Sequence, residues 1–120
     1  MIDVKKLLAK ILSCSYTDGT DNSWTYKRYT NGTYEAWRTI TLSIARQTSY
    51  GSLYRSLEQS VTLPSFNSGT NYQLIGSSNG GDWLLFNTFN ETTASYFFIR
   101  TSSAAAANKV ARLYIHGTCK

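Results

Sequence analysis

From Trp24 to Ile44 the sequence alternates with a period of two around one dipeptide, Asn31-Gly32. Successive strand residues point to opposite faces, and Asn-Gly suits a two-residue type I′ turn because both turn positions need positive φ. The predicted hairpin has a register that can be checked. Thr30 faces Thr33, Tyr29 faces Tyr34, Arg28 faces Glu35, Lys27 faces Ala36 and Tyr26 faces Trp37. These pairs include two aromatic pairs and one of opposite charge, the kinds that stabilise neighbouring strands. Ala36, Arg38, Ile40, Leu42 and Ile44 then form the core face. Trp24, Tyr26 and Trp37 share the other face, which a second sheet or a neighbouring subunit must cover.

The rest of the chain continues in short runs of strand-forming residues, at about 50–56, 59–63, 71–76, 82–88, 95–101 and 109–116. Turn residues separate them, and no helical pattern intervenes. Such spacing predicts an all-β antiparallel sandwich, jelly-roll-like, over residues 15–120. Pro64 should end its strand, since proline cannot donate to a ladder. Ser102 to Asn108 is read as a loop or hairpin connection despite its alanines. Ser13 to Ser23 reads as a polar linker containing Asp18-Gly19. Before it, Val4, Leu7, Leu8, Ile11 and Leu12 make one apolar stripe, so residues 1–14 hold a short amphipathic helix and a possible trimerisation segment. A helix this short is not stable alone, and its stripe must pack on the domain or on copies of itself.

Composition removes whole classes of function. At 120 residues there is room for one domain. The formal charge of +5 comes from scattered cations, with only Lys5, Lys6 and Lys10 clustered, so no nucleic-acid footprint is present. No run approaches the ~20 apolar residues of a membrane span, and Met1 to Leu12 makes a poor secretion signal. Cys14 and Cys119 show no metal spacing and are read as reduced thiols, a bridge between the two ends of the chain being the alternative. Neither a metal nor a cofactor is expected.

The inventory for catalysis is thin. His116 is the single histidine, and a nucleophilic triad needs a base that is itself oriented by a third group. Among seven dispersed carboxylates, Asp82 and Glu91 are the one pair that a single loop could bring together for glycoside cleavage. Saccharide binding is better served. It needs flat rings for the CH faces of a sugar and directional polar groups for its hydroxyls. The segment from Ser77 to Trp83 offers both, with Asn79, Asp82 and Trp83 as first candidates; alternatively it is a plain hairpin turn before a core strand. Tyr50, Tyr54 and Arg55 form a second cluster. Arg100, following Phe97, Phe98 and Ile99, should pair across an interface, because burying it alone is costly.

The ordered segments WTYKRYTNGTYEAW, YGSLYRS, VTLPSF, GGDWLLF and FFIRTSSAAAANKVARLYIHGTCK resemble the C-terminal head domain of bacteriophage tail and receptor-binding proteins, over about residues 22 to 120. The resemblance implies a non-enzymatic homotrimer at the tip of a phage tail, made in the bacterial cytoplasm, whose partners are its own copies and a host cell-surface glycan. Trp24, Tyr26, Asn31, Gly32, Glu35 and Trp37 fall on the family's opening hairpin, and Tyr50, Gly51, Ser52 and Tyr54 on its glycine-tyrosine segment. Arg100 falls on the penultimate strand and Ile115-His116-Gly117 on the closing one. The saccharide site so implied comprises Asn79, Asp82, Trp83, Tyr50, Tyr54, Arg100 and His116. Cys119 departs from the pattern, standing where relatives usually carry tryptophan. A structural tail module that binds only protein is the alternative function.

Overall fold

The computed structural model describes Val4 and residues 16–120. The expected helix within residues 1–14, and Cys14, therefore lie outside the described residues, Val4 apart. Ten strands follow: β1 (Tyr16–Asp21), β2 (Trp24–Tyr29), β3 (Thr33–Arg46), β4 (Thr48–Tyr50), β5 (Leu53–Arg55), β6 (Gln59–Thr62), β7 (Gln73–Ser78), β8 (Trp83–Phe89), β9 (Thr93–Arg100) and β10 (Ala104–Thr118). They make two antiparallel sheets. One runs β1-β2-β3-β10-β7; in the other, β9 is flanked by β5 and β6 along one edge and by β8 along the opposite edge.

Between the layers lies a core built by strand parity. Tyr34, Ala36 and Ile44 come from β3, Ala111, Leu113 and Ile115 from β10, and Ala94, Tyr96 and Phe98 from β9. Trp24 is fully buried, and its Nε1 donates to Thr62 O at 2.7 Å, joining one sheet to the other. Gly76 of β7 faces Leu84 and Phe86 of β8, where a Cβ would collide with both side chains. The absent side chain lets the two layers close at that point.

The opening hairpin keeps its strands but not the expected register. Thr25 pairs with Trp37, Tyr26 with Ala36, Lys27 with Glu35 and Arg28 with Tyr34, one residue out from the type I′ expectation. Gly32 N donates to Tyr29 O at 3.1 Å and Gly32 has φ +89°, so the loop holds three residues, a turn followed by a left-handed glycine. A one-residue slip moves side chains to the opposite face. Trp24 and Tyr26 consequently join the core with Ala36, while Trp37 faces outward.

Two further corrections concern the chain's edges. Residues 16–21 of the expected linker form β1, and its turn is Asn22-Ser23, both at positive φ, instead of Asp18-Gly19. Here the type I′ turn does occur, with serine where glycine is favoured. Residues 104–108 of the expected connection belong to β10, leaving Thr101 to Ser103 as the turn. Alanine's modest strand preference is overridden because β3 offers a long partner, Ala107 pairing with Ile44 and Ala104 with Arg46. Cys119 is a free thiol whose Sγ lies 3.7 Å from Thr33 O.

Candidate functional site

Where β9 ends and β10 begins, four charged side chains converge between the layers. Asp82 is the centre, its side chain sealed from solvent, with Arg46 Nε at 3.0 Å and Arg100 Nη1 and Lys109 Nζ each at 3.6 Å. Arg46 is placed by inward parity at the end of β3, and its Nη1 donates to Ile44 O and Ala105 O. The contact of its Nε with Asp82 is close but too bent for a hydrogen bond. Asn79 closes the β7 end of this region, its Oδ1 accepting the Val110 N–H at 3.0 Å and prolonging the β7–β10 ladder. Tyr54 stands opposite Arg100 in the β5–β9 pairing.

On the outer side of the same strands lies an apolar surface. Trp83 pairs with Ile99 and Leu85 with Phe97, and Trp83 is 55% exposed. Across β9, Tyr50 meets Phe97 edge-on with ring centroids 5.6 Å apart. The Arg55 guanidinium lies 3.9 Å from the centroid of Phe97 and 5.7 Å from that of Tyr50. This stacking explains why Phe97 is buried although it points away from the core. Polar groups border the rings. Glu58 accepts from Asn87 Nδ2 and from Ser95 Oγ, and these hydrogen bonds hold its carboxyl below the usual glutamate range.

Six of the seven residues expected at a saccharide site therefore collect around one end of β9, divided between its faces. Asp82, Tyr54 and Arg100 are inward, Trp83 and Tyr50 outward, and Asn79 caps β7. His116 is elsewhere. It sits on the outer face of the other sheet, opposite Glu35 and Gln73, seven residues or roughly 23 Å along β10 from Lys109. Asp82 and Glu91 precede and follow β8, a seven-residue strand that by itself spans roughly 20 Å, beyond the ~5 to 10 Å that a glycosidase carboxyl pair requires. Glu91 instead approaches Lys120 at 3.9 Å, beside a cleft of about 230 Å³ lined by Asn22, Leu63, Pro64 and Ser65.

Sequence reasoning missed Arg46 and Lys109 as members of the charged cluster. The signal was present in parity: Arg46 continues the run Ile40, Leu42, Ile44, and Lys109 precedes Ala111, Leu113 and Ile115. Glu58 and Asn87 had no comparable signal, because a bulge sets each of them in place.

No protein-family model and no characterised protein of similar sequence matches the chain. Solved structures do. An N-truncated R1-type pyocin tail fibre superposes with a TM-score of 0.63 over 98% of each chain, at 9% identity. A P. aeruginosa R1 pyocin fibre gives 0.64 at 9% identity, covering 98% of this chain and 32% of that one. A P. aeruginosa R2 pyocin fibre gives 0.53 at 16% identity, covering 98% and 30%. The chain thus spans nearly all of the truncated fibre and about a third of the longer ones. At such identities the likeness establishes fold, and the domain described above has the fold of pyocin tail fibres, in agreement with the phage-tail resemblance of its sequence.

Proposed function

We propose that this chain is a non-enzymatic receptor-binding domain of a phage-type tail, carried at the tail tip as a homotrimer and attaching to saccharide on the host cell surface. The observation that carries the reading is the outer surface of β8 and β9, where Trp83, Leu85 and Tyr50 stay exposed around the Arg55-capped Phe97. A sugar ring stacks on such rings through its CH face, and Asn87 and Glu58 border the rings with an amide and a carboxylate for its hydroxyls. The shared fold with tail fibres supports the setting. We keep the jelly-roll-like description as part of this proposal, on the facing of two antiparallel sheets.

The outer face of the β1-containing sheet supports the homotrimer. Thr25, Trp37, Tyr114 and Ile75 form one cross-strand row, with the Trp37 and Tyr114 rings 5.7 Å apart and Ile75 60% exposed. We assign this row to contact between subunits. The same row supports the second reading, a structural tail module that binds only protein.

A glycan array and whole-cell adsorption, run with the parent chain and Trp83→Ala, test the proposal. Binding that disappears in the variant is expected; no binding by the parent chain to any glycan or cell would remove the saccharide role. Light scattering should give three copies, and a monomer at micromolar concentration would remove the trimer. Iodide quenching separates the two functions. Trp83 should be quenched while Trp24 and Trp37 are protected, whereas protection of all three indoles favours the structural module.

A further inference from the structure

We propose that the charged end of the domain, at the solvent-reaching edges of Arg100 and Lys109 beside the buried Arg46, receives an oxyanion carried by the saccharide, so that the ligand is an acidic glycan bearing carboxylate or phosphate. The inference rests on the saccharide reading above and specifies its chemistry. Three cations surround one carboxylate within 3.6 Å, which leaves two positive charges unmatched. Arg46 is 2% exposed, the Lys109 side chain 10% and the Arg100 side chain 26%, so water solvates the excess only at the edges of Lys109 and Arg100. An uncompensated charge held this far from solvent is costly, and a hydrogen-bonding anion relieves that cost.

No other described carboxylate is available for the task. Asp21 is bound to Ser65, Glu35 to Tyr29 and Tyr114, Glu58 to Asn87 and Ser95, and Glu91 lies beside Lys120. Asp18 stands opposite Lys27 in the β1–β2 pairing. Arg100 Nε is buried and donates to no group among the described residues. Around the ammonium the chain is kept bare. Gly80 is at φ +70°, and a Cβ there would lie 3.2 Å from Lys109 Nζ, so a side chain would crowd the cation by a few tenths of an ångström. Two residues on, the backbone reaches Asp82 and then the exposed Trp83. A sugar stacked on Trp83 lies at the same strand end as the positive charge but on the outer face, so its acidic group must pass around the Gly80–Asp82 turn to meet Arg100 and Lys109.

The test compares binding of the full chain to matched oligosaccharides by calorimetry: oligogalacturonate, a phosphodiester-linked sugar oligomer, and neutral galactose oligomers. At low salt, one acidic ligand should bind about tenfold more tightly than its neutral counterpart, and this preference should collapse near ~0.5 M salt. Which of the two acidic ligands is preferred distinguishes carboxylate from phosphate. Arg100→Gln, and independently Lys109→Gln should the first variant fold poorly, should reduce the ratio of acidic to neutral affinity by about tenfold. Equal binding of acidic and neutral ligands, with no effect of salt or of either variant, overturns the inference while leaving the saccharide reading intact. Absence of binding to every ligand overturns both.

Discussion

Arg46 Nε and Asp82 Oδ2 lie 3.0 Å apart inside the domain, and the aspartate side chain has no exposure to solvent. Asp82 is the shared counterion of three cations, so removing its charge leaves all three unmatched. Asp82→Asn is expected to lower the unfolding free energy by ~3 to 5 kcal/mol. Lys109→Met should cost much less, because Arg46 and Arg100 still face the carboxylate. Urea denaturation of the two variants gives the comparison. A larger loss for Lys109→Met would contradict the central place of Asp82.

Asn67 ties three segments together at the opposite end. Its Oδ1 accepts the Tyr34 hydroxyl at 2.7 Å, and its Nδ2 donates to Gly69 O and Glu91 O at 3.0 and 2.9 Å. Truncation strands buried partners, and each such group costs ~1 to 3 kcal/mol. Asn67→Ala should lose stability in that range or somewhat above it. Adding Tyr34→Phe to that variant should cost little further, since the hydroxyl it removes is already unpaired. Fully additive losses in a double-mutant cycle would refute the coupling.

Ser23 occupies a left-handed conformation, φ 69°, in the two-residue turn between β1 and β2. A residue with a Cβ is strained there by roughly 1 kcal/mol, and glycine is not. Ser23→Gly should therefore raise the thermal midpoint, against the usual trend for glycine substitutions. A lowered midpoint in calorimetry would show that the serine side chain makes an offsetting contact.

Alkaline pH should weaken the fold. Burial pushes the phenols of Tyr34, Tyr72 and Tyr96 above the ordinary value of 10.0. At Tyr29 the hydrogen bond to Glu35 comes first and burial second; at Tyr114 the order is reversed. A folded value above the unfolded one means that the folded state holds the proton more tightly. The stability so contributed is whole below about pH 10 and is lost as pH rises through the folded values. Unfolding midpoints should fall above about pH 10, together with a late rise in tyrosinate absorbance. Glu35→Gln should bring the Tyr29 and Tyr114 transitions to lower pH; an unchanged titration would separate them from Glu35.

Much of the fold is legible in residue order because strand parity is local. The inward run of β3 through Ala36 and Ile44 and the strands near 59–63, 82–88 and 95–101 follow from alternation and turn residues, whereas the alternative between a presented Trp83 and a core Trp83 stays open in the sequence. Register is less local. Asn31-Gly32 is compatible with a two-residue or a three-residue loop, and the choice falls to the packing of Trp24 and Tyr26, which only the slipped register brings into the core. Ser56 illustrates the same limit. Its N–H donates to Phe98 O and its Oγ accepts the Phe98 N–H, both at 2.9 Å, so one side chain replaces a ladder group and the strand continues beyond a bulge at Leu57.

Residue order by itself settles that this chain alternates, pairs antiparallel and sets rings such as Trp83 and Tyr50 beside polar turns, since these depend on neighbours only a few positions away. Tertiary structure alone decides that Arg46, Asp82, Arg100 and Lys109 meet, and that His116 and Glu91 do not join them. The reason is physical. Each cluster member sits on a different strand or turn, and their convergence depends on which edges the two layers present to one another, a property of the whole sheet arrangement.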